Sequence, residues 1–305
     1  MGVFHVEQED ERDGATDKAE WVSESIGEGV VLAIRTGACE VAIQSSVQRI
    51  EIHRGASALG GLYRLDGVAM AAVGDEFILH ENLVFPAAVA HGAPKRVLVL
   101  GGGDGGSVRR LLRIPAVGEI HVVEIDEAVV RAAESHLAPI HRGAFSDPRV
   151  HLHIADAAQV FDAQPDPEPF DLILFDLTDP IGSALPLYQP PFLERCRSHL
   201  TDRGILTLHT ASPFYAPDQV KKILGGLRQE FPVVRPYFFP APLYGGWWGM
   251  ATAARWTDPA TLTPAVIDQR LNAWGVSDLD YYNGSIHVAQ FALPNFIRRC
   301  LTPEP

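Results

Sequence analysis

The sequence predicts an α/β fold, a doubly wound parallel sheet with a small N-terminal antiparallel β domain ahead of it. Three features predict it. From Pro94 onward, apolar runs of strand length alternate with segments of helical spacing, the pattern of a parallel sheet covered by helices on both faces. The stretch Val97–Gly106, VLVLGGGDGG, carries a buried strand into a glycine loop and on into SVRRLLR, whose Val108, Leu111 and Leu112 recur at helical spacing. Residues 20–74 show instead short β-like runs broken by glycine.

Residues 1–19 are polar, charged and without periodicity, as in a mobile tail. In the N-terminal β domain, residues 20–74, GVVLAIR, CEVAIQSS, QRIEIHR and GGLYRLDGVAMAAV read as strand runs. Alternation around Ile50 and Ile52, and the Asp66-Gly67 dipeptide, predict hairpins. The larger domain, residues 75–305, opens on DEFILHENLVFPAAVAHG. Its acidic start suits a helix N-terminus, and Pro86 predicts an interruption or kink. Then follow RVLVL, a helix through Arg113, EIHVVEID, a helix over Glu127–His136, VHLHIAD, a short helix, FDLILFDL, a helix near Leu193, GILTLHT, a helix over Val220–Phe231, and VRPYFFP. Ligands of such a sheet bind at the carboxyl ends of its strands.

With 305 residues, 47% of them hydrophobic, the chain can bury a large core. No apolar run reaches the ~18 residues of a membrane span, and the acidic start MGVFHVEQEDERDG lacks the features of a secretory signal, so a cytoplasmic location is expected. A net charge of −13 without a dense basic cluster argues against nucleic acid and anionic membranes and fits a cationic ligand. Cys39, Cys196 and Cys300 form no CxxC pair. Neither a disulfide framework nor a zinc site is suggested, and all three read as buried thiols. His151-Leu152-His153 reads as a partly exposed strand pair, and no metal is expected.

Chemistry is expected where four strands end in carboxylates: Asp104, Glu124, Asp156, and Asp176 with Asp179. Glu124 lies about 20 residues past the glycine loop, the spacing at which a carboxylate takes ribose hydroxyls, so a dinucleotide such as NAD is the first ligand to test. Asp104 inside the loop argues otherwise, because its charge repels a phosphate and attracts a cation. A cationic, phosphate-free nucleoside, such as an S-adenosyl compound, fits better. Asp156 either reaches the adenine amino group, with Ala157 leaving room beside the ring, or caps the following helix. Asp176 and Asp179 repel each other unless an ammonium lies between them, which makes them candidates for amine binding and general-base work.

Taken together, SSVQRIEI, LDGVAM, DEFILHE, VLVLGGGDGG, VEID, IADA, DLTDPIG, PLYGGWWG and YYNGSIHVAQFALP resemble the blocks of the polyamine aminopropyltransferases, spermidine synthase among them, in the family's order from Trp21 to about Leu301. The resemblance implies a Rossmann-like, class I methyltransferase-like sheet. It also implies transfer of an aminopropyl group from decarboxylated S-adenosylmethionine, a co-substrate rather than a cofactor, to putrescine, giving spermidine and 5′-methylthioadenosine. Gln48, His80, Gly101, Gly102, Gly103, Asp104, Glu124, Asp156 and Ala157 would then hold the donor. Asp176 would be the general base, with Asp179, His209 and Tyr244 on the acceptor side. A homodimer or homotetramer is implied, and residues 177–190 are a candidate lid.

The acceptor side departs from that pattern. Leu79 stands where the family's DEFxYHE block has a tyrosine, Leu185 where a glutamate is usual, His209 where a glutamine is frequent, and Leu243 aligns with a tyrosine, with Tyr244 adjacent. Two explanations compete. Either the acceptor is another amine, such as the longer one used by thermospermine or spermine synthases, or Tyr188, Tyr215 or Tyr244 compensates. A methyltransferase is the nearest rival of another class. Trp247 and Trp248 either line the amine crevice or pack in the core, whereas Tyr281-Tyr282 and Phe291–Pro294 read as structural.

Overall fold

A computed structural model of the chain describes residues 20–162, 168–178 and 182–301. The expected tail, residues 1–19, lies outside the described residues, as do 179–181 of the candidate lid. The first sheet runs in chain order: β1 (Glu20–Gly27), β2 (Val30–Gln44), β3 (Arg49–Gly55), β4 (Leu62–Leu65) and β5 (Val68–Ala72), each antiparallel to the next. The two runs GVVLAIR and CEVAIQSS form one strand of 15 residues, not two. Its first half pairs with β1 and its second half with β3, and register shifts between Thr36 and Val41 mark the bulges where it bends. The β4–β5 hairpin turns at Asp66 and Gly67, both at positive φ (48° and 82°), as a two-residue primed turn requires.

The second sheet is mixed. It is built from β6 (Arg96–Gly101), β7 (Glu119–Glu124), β8 (Val150–Ile154), β9 (Phe170–Asp176), β10 (Leu200–Ala211), β11 (Val233–Ala241) and β12 (Gly246–Ala254), in the order β11-β12-β10-β9-β6-β7-β8. Strands β8 to β10 of that order are parallel, while β12 runs antiparallel to both its neighbours. GWWGMATAA carries no alternation and is rich in Gly and Ala, so the expectation of an all-parallel sheet missed this strand. Strand β6 lies between β7 and β9, so the chain winds off it in both directions. The crevice of a doubly wound sheet therefore opens at its carboxyl end, where the glycine loop begins.

The helices are α1 (Glu76–His91), α2 (Gly106–Leu111), α3 (Glu127–His136), α4 (Ala138–His141), α5 (Pro190–Ser198), α6 (Pro217–Glu230), α7 (Pro264–Trp274), α8 (Gly284–Phe291) and α9 (Asn295–Leu301). Helix α1 continues through Pro86 rather than ending there. Proline removes the N–H that would bond the Asn82 carbonyl; the Tyr237 hydroxyl donates to that carbonyl at 2.7 Å and replaces the lost bond. Two apolar clusters fill the faces of the second sheet. A third packs Ile50, Ile52 and Tyr63 of the first sheet against Val129, Ala132 and Ile140 of α3 and α4, locking one sheet over the other's crevice. Among the described residues no helix is long and apolar enough to cross a membrane. Of the three cysteines only Cys196 is fully buried; Cys300 is partly covered and Cys39 is exposed, contrary to expectation, because it lies at a bulge of β2.

Candidate active site

One cleft collects the residues singled out at the strand ends. Asp104, Glu124, Asp156 and Asp176 line it, together with Gln48, His80, Gly101, Gly102, Gly103, Ala157, His209 and Tyr244. The convergence follows from topology: β6, β7, β8 and β9 are parallel neighbours, so their carboxyl ends share one edge. Asp179 lies outside the described residues.

The loop after β6 holds its shape through close backbone contacts. Gly101 has φ 76°, and a Cβ there would stand 2.2 Å from the Asp176 carbonyl oxygen. At Gly106 a Cβ would meet the His80 ring at 2.1 Å, so glycine lets the start of α2 lie against α1. The Gly106 N–H donates to Asp104 Oδ1 at 2.8 Å, and Asp104 Oδ2 faces His80 Nε2 at 3.5 Å. Behind His80, its Nδ1 lies 2.6 Å from Glu76 Oε2, and Arg110 pairs with Glu76 at 3.1 Å. Burial opposes an imidazolium at His80, but the Asp104 charge and the bonds to Asp104 and Glu76 outweigh it, and its pKa stands well above the usual range. Burial likewise opposes the Asp104 carboxylate, and the His80 charge overcomes it and holds that pKa down. Both ring nitrogens of His80 are thus taken by protein carboxylates, and it acts on the cleft through Asp104.

The neighbouring carboxylates are poised differently. Burial and the Asp104 charge push Asp176 up to about 6, against the pull of His80 and of the Ser107 hydroxyl, which donates to Asp176 Oδ2 at 2.5 Å. Burial pushes Glu124 up to about 7, although its Oε1 accepts the Asp126 N–H at 3.0 Å. A cation entering this cleft relieves both penalties, whereas an anion adds to them. Asp156 combines the two readings open from sequence: its Oδ1 caps Ala158 N–H at 2.8 Å, and the residue still lines the cleft. Gln48 is held by Asp126, its amide donating at 3.3 Å, so the first sheet is stitched to the start of α3 beside the cleft. Asp104 and Asp176 bring carboxylate oxygens within 4.8 Å of each other, a spacing that suits a shared cationic group.

On the other flank, Trp248 Nε1 donates to His209 Nδ1 at 3.0 Å. Burial and the His80 charge pull His209 down to about 3, so it is neutral. Trp248 lines the cleft and packs against Tyr244 with ring centres 4.4 Å apart and planes tilted by 41°, whereas Trp247 is partly exposed to solvent. The Tyr244 hydroxyl donates to the Met70 carbonyl at 2.8 Å, so it brings its ring rather than a free proton to the cleft. Of the four departures on this side, Leu79 and His209 border the cleft; Leu243 is buried against the first sheet and Leu185 faces solvent. Tyr215 lines the cleft, and Tyr188 is buried with its hydroxyl toward the Thr178 carbonyl.

Sequence reasoning missed Glu24, Tyr63 and Gln219, which also line the cleft. Glu24 and Tyr63 belong to the first sheet and carry no motif; only the packing of that sheet over the crevice brings them in. Ala211, at the end of β10 and on the cleft wall, has φ 86°, a strained value for a residue with a Cβ. The His151 and His153 rings lie beside His121, at 5.2 and 5.4 Å between centres, as an exposed edge cluster. Tyr282 packs on Phe85 and bonds His287, away from the cleft.

This geometry agrees with three comparisons. The family model of the spermine/spermidine synthase domain matches residues 76–260. The polyamine aminopropyltransferase of Nitrosomonas europaea is 42% identical over 261 residues, covering 86% of this chain and 79% of that protein. A crystal structure of spermidine synthase in complex with the transition state analogue AdoDATO superposes with a TM-score of 0.87 at 32% identity, covering 95% of this chain and 98% of the other. Spermidine synthase from Thermotoga maritima gives 0.83 at 31% identity, covering 95% and 97%. The chain belongs to the spermine/spermidine synthase family and is an enzyme of the aminopropyl-transferring class.

Proposed function

We propose that this enzyme moves the aminopropyl group of decarboxylated S-adenosylmethionine to putrescine, giving spermidine and 5′-methylthioadenosine. The observation that carries the reading is the pair Asp104 and Asp176, buried together at the ends of β6 and β9, whose mutual repulsion a cationic substrate relieves. Asp104 holds the ammonium of the aminopropyl arm, Glu124 the ribose hydroxyls, and Asp156 with Ala157 the adenine. The glycine loop Gly101–Gly103 lets the nucleoside approach the backbone. Gln48 and His80 position Asp126 and Asp104 around it. A donor that kept its carboxylate would set an anion against these groups, so the decarboxylated compound is preferred.

Asp176 is the general base. An alkylamine with a pKa near 10 is mostly protonated at neutral pH, so its proton must be shared with a carboxylate before its lone pair can attack. A carboxyl pushed up to about 6 is ionised at pH 7 yet more basic than an ordinary aspartate. As the C–N bond forms at the carbon beside the sulfonium, the C–S pair returns to sulfur, the thioether leaves neutral, and the amine proton passes to Asp176. Alignment of nitrogen and carbon in the cleft supplies much of the acceleration. Asp179 anchors the distal amine on the strength of the family resemblance, with His209 and the Tyr244–Trp248 wall bordering the acceptor. The reaction takes place in the cytoplasm, in a homodimer or homotetramer.

A second reading, the same chemistry on a longer amine, is favoured by Leu79 and His209, the two departures that do border the cleft. Incubation with decarboxylated S-adenosylmethionine and putrescine, cadaverine, agmatine, spermidine or spermine, following methylthioadenosine by chromatography, decides between them. Highest kcat/KM with putrescine supports the first reading, and highest with spermidine the second. If no amine gives product above background, aminopropyl transfer is wrong. Binding of S-adenosylhomocysteine more tightly than methylthioadenosine would favour methyl transfer instead.

A further inference from the structure

The geometry points to a second site, independent of the cleft, at which Cys39, Glu51 and His53 of the first sheet bind a divalent transition-metal ion. Their ligand atoms, the Cys39 sulfur, a Glu51 carboxylate oxygen and a His53 ring nitrogen, all lie within 4.8 Å of one another. Residues two apart on a strand share a face, so Glu51 and His53 lie together on β3. Cys39 is the cross-strand partner of His53, and the bulge between Cys39 and Val41 sets that pairing. None of this is visible in sequence, where the three residues form no ligand spacing.

The independent observation is His53 itself. It is 4% exposed, and among the described residues neither of its ring nitrogens has a hydrogen-bond partner. A buried imidazole with both nitrogens unsatisfied costs free energy, and an ion bound to one of them removes part of that cost.

The donor set selects the class of ion. Thiolate, imidazole and carboxylate suit zinc, cobalt and related borderline-soft ions, and exclude magnesium and calcium, which take oxygen ligands. Three protein ligands leave one tetrahedral position for water. Glu51 also pairs with Arg49 at 3.0 Å and Arg64 at 3.3 Å, one to each oxygen. Arg49 gives Oε1 two bonds, at 3.0 and 3.1 Å, whereas Oε2 accepts only the one from Arg64 and keeps a second lone pair for the ion; the arginines orient the carboxylate while their charge weakens cation binding. On binding, a sulfur–metal bond forms and the Cys39 thiol proton leaves to solvent. Cys39 is exposed, which gives an ion a route in.

The test uses the full-length enzyme after chelator treatment. Titration with Co(II) is expected to produce a thiolate-to-cobalt charge-transfer band that saturates at one equivalent per chain and disappears on adding Zn(II). Cys39→Ser abolishes the band, and His53→Gln weakens Co(II) binding by more than about tenfold, since even outer-shell changes at metal sites cost that much. Asp104→Asn, in the cleft, leaves the band intact. In the unaltered protein, Zn(II) slows alkylation of Cys39, read by peptide mass mapping, so the outcome does not depend on the variants folding. Absence of the band, its persistence in Cys39→Ser, its loss in Asp104→Asn, or alkylation of Cys39 indifferent to Zn(II) would each overturn the proposal.

Discussion

The indole N–H of Trp248 donates to Nδ1 of His209 at 3.0 Å, which leaves the other ring nitrogen, Nε2, to carry the histidine's proton. An indole can only donate, so this one bond fixes the tautomer. A neutral His209 with its proton on Nε2 offers a donor to the acceptor side of the cleft. Trp248→Phe keeps the ring and releases the tautomer. Leaving a buried nitrogen unsatisfied costs about 1–3 kcal/mol, so kcat/KM for the amine is expected to fall about tenfold while the KM for the nucleoside changes little. Steady-state kinetics varying each substrate separately measures this; equal losses for both substrates would contradict it.

Asp176→Asn removes the proton acceptor and is expected to lower kcat by about 100-fold or more, with methylthioadenosine still bound in calorimetry. Loss of that binding would mean that Asp176 serves the donor rather than the acceptor.

The same residue sets a pH dependence. Activity needs the Asp176 carboxylate, so kcat/KM should fall as pH drops through about 6. The effect on stability has the opposite sense. Because the folded pKa is raised, the stability tied to this group is fully present below the unfolded value near 4 and is lost as pH rises through about 6. The Asn variant should therefore melt higher than the parent at about pH 8 and no higher at about pH 4. Calorimetric scans at the two pH values test it, and a variant that melts lower at the higher pH refutes it.

Gly106→Ala forces a methyl group to 2.1 Å from the His80 ring. Overpacking of this kind costs about 1–3 kcal/mol, and the displaced imidazole no longer faces Asp104. A lowered urea midpoint together with weaker nucleoside binding is expected. An unchanged midpoint would show that His80 moves freely, against its burial.

Tyr237→Phe tests the helix that runs through its own proline. The hydroxyl serves the Asn82 carbonyl that Pro86 leaves without a donor. Its removal orphans a buried acceptor at a cost of about 1–3 kcal/mol, with no change in kcat, since Tyr237 does not line the cleft. Denaturant unfolding paired with an activity assay reads both halves of this prediction.

Much of the architecture was legible in the chain because its parallel strands and their helices follow simple periodicities. The strand-end carboxylates were legible for the same reason: parallel topology puts the ends of neighbouring strands at one edge, and Asp104, Glu124, Asp156 and Asp176 meet there. The mixed sheet was not, because β12 is rich in small residues that alternate with nothing. Nor was the passage of α1 through Pro86, which depends on a hydroxyl 155 residues away.

By itself the sequence determined that a buried strand runs into a glycine loop carrying Asp104, a charge that disfavours a phosphate and favours a cationic nucleoside in any fold that forms the loop. The tertiary structure decided how that charge is balanced. His80 and Glu76 come from α1, Asp104 from the loop after β6, and Asp176 from the end of β9. Their protonation depends on distances and burial that arise only when those elements pack. The same holds for Glu24 and Tyr63 on the cleft wall, and for Cys39 opposite His53: strand register and sheet packing are long-range properties, and no local pattern encodes them.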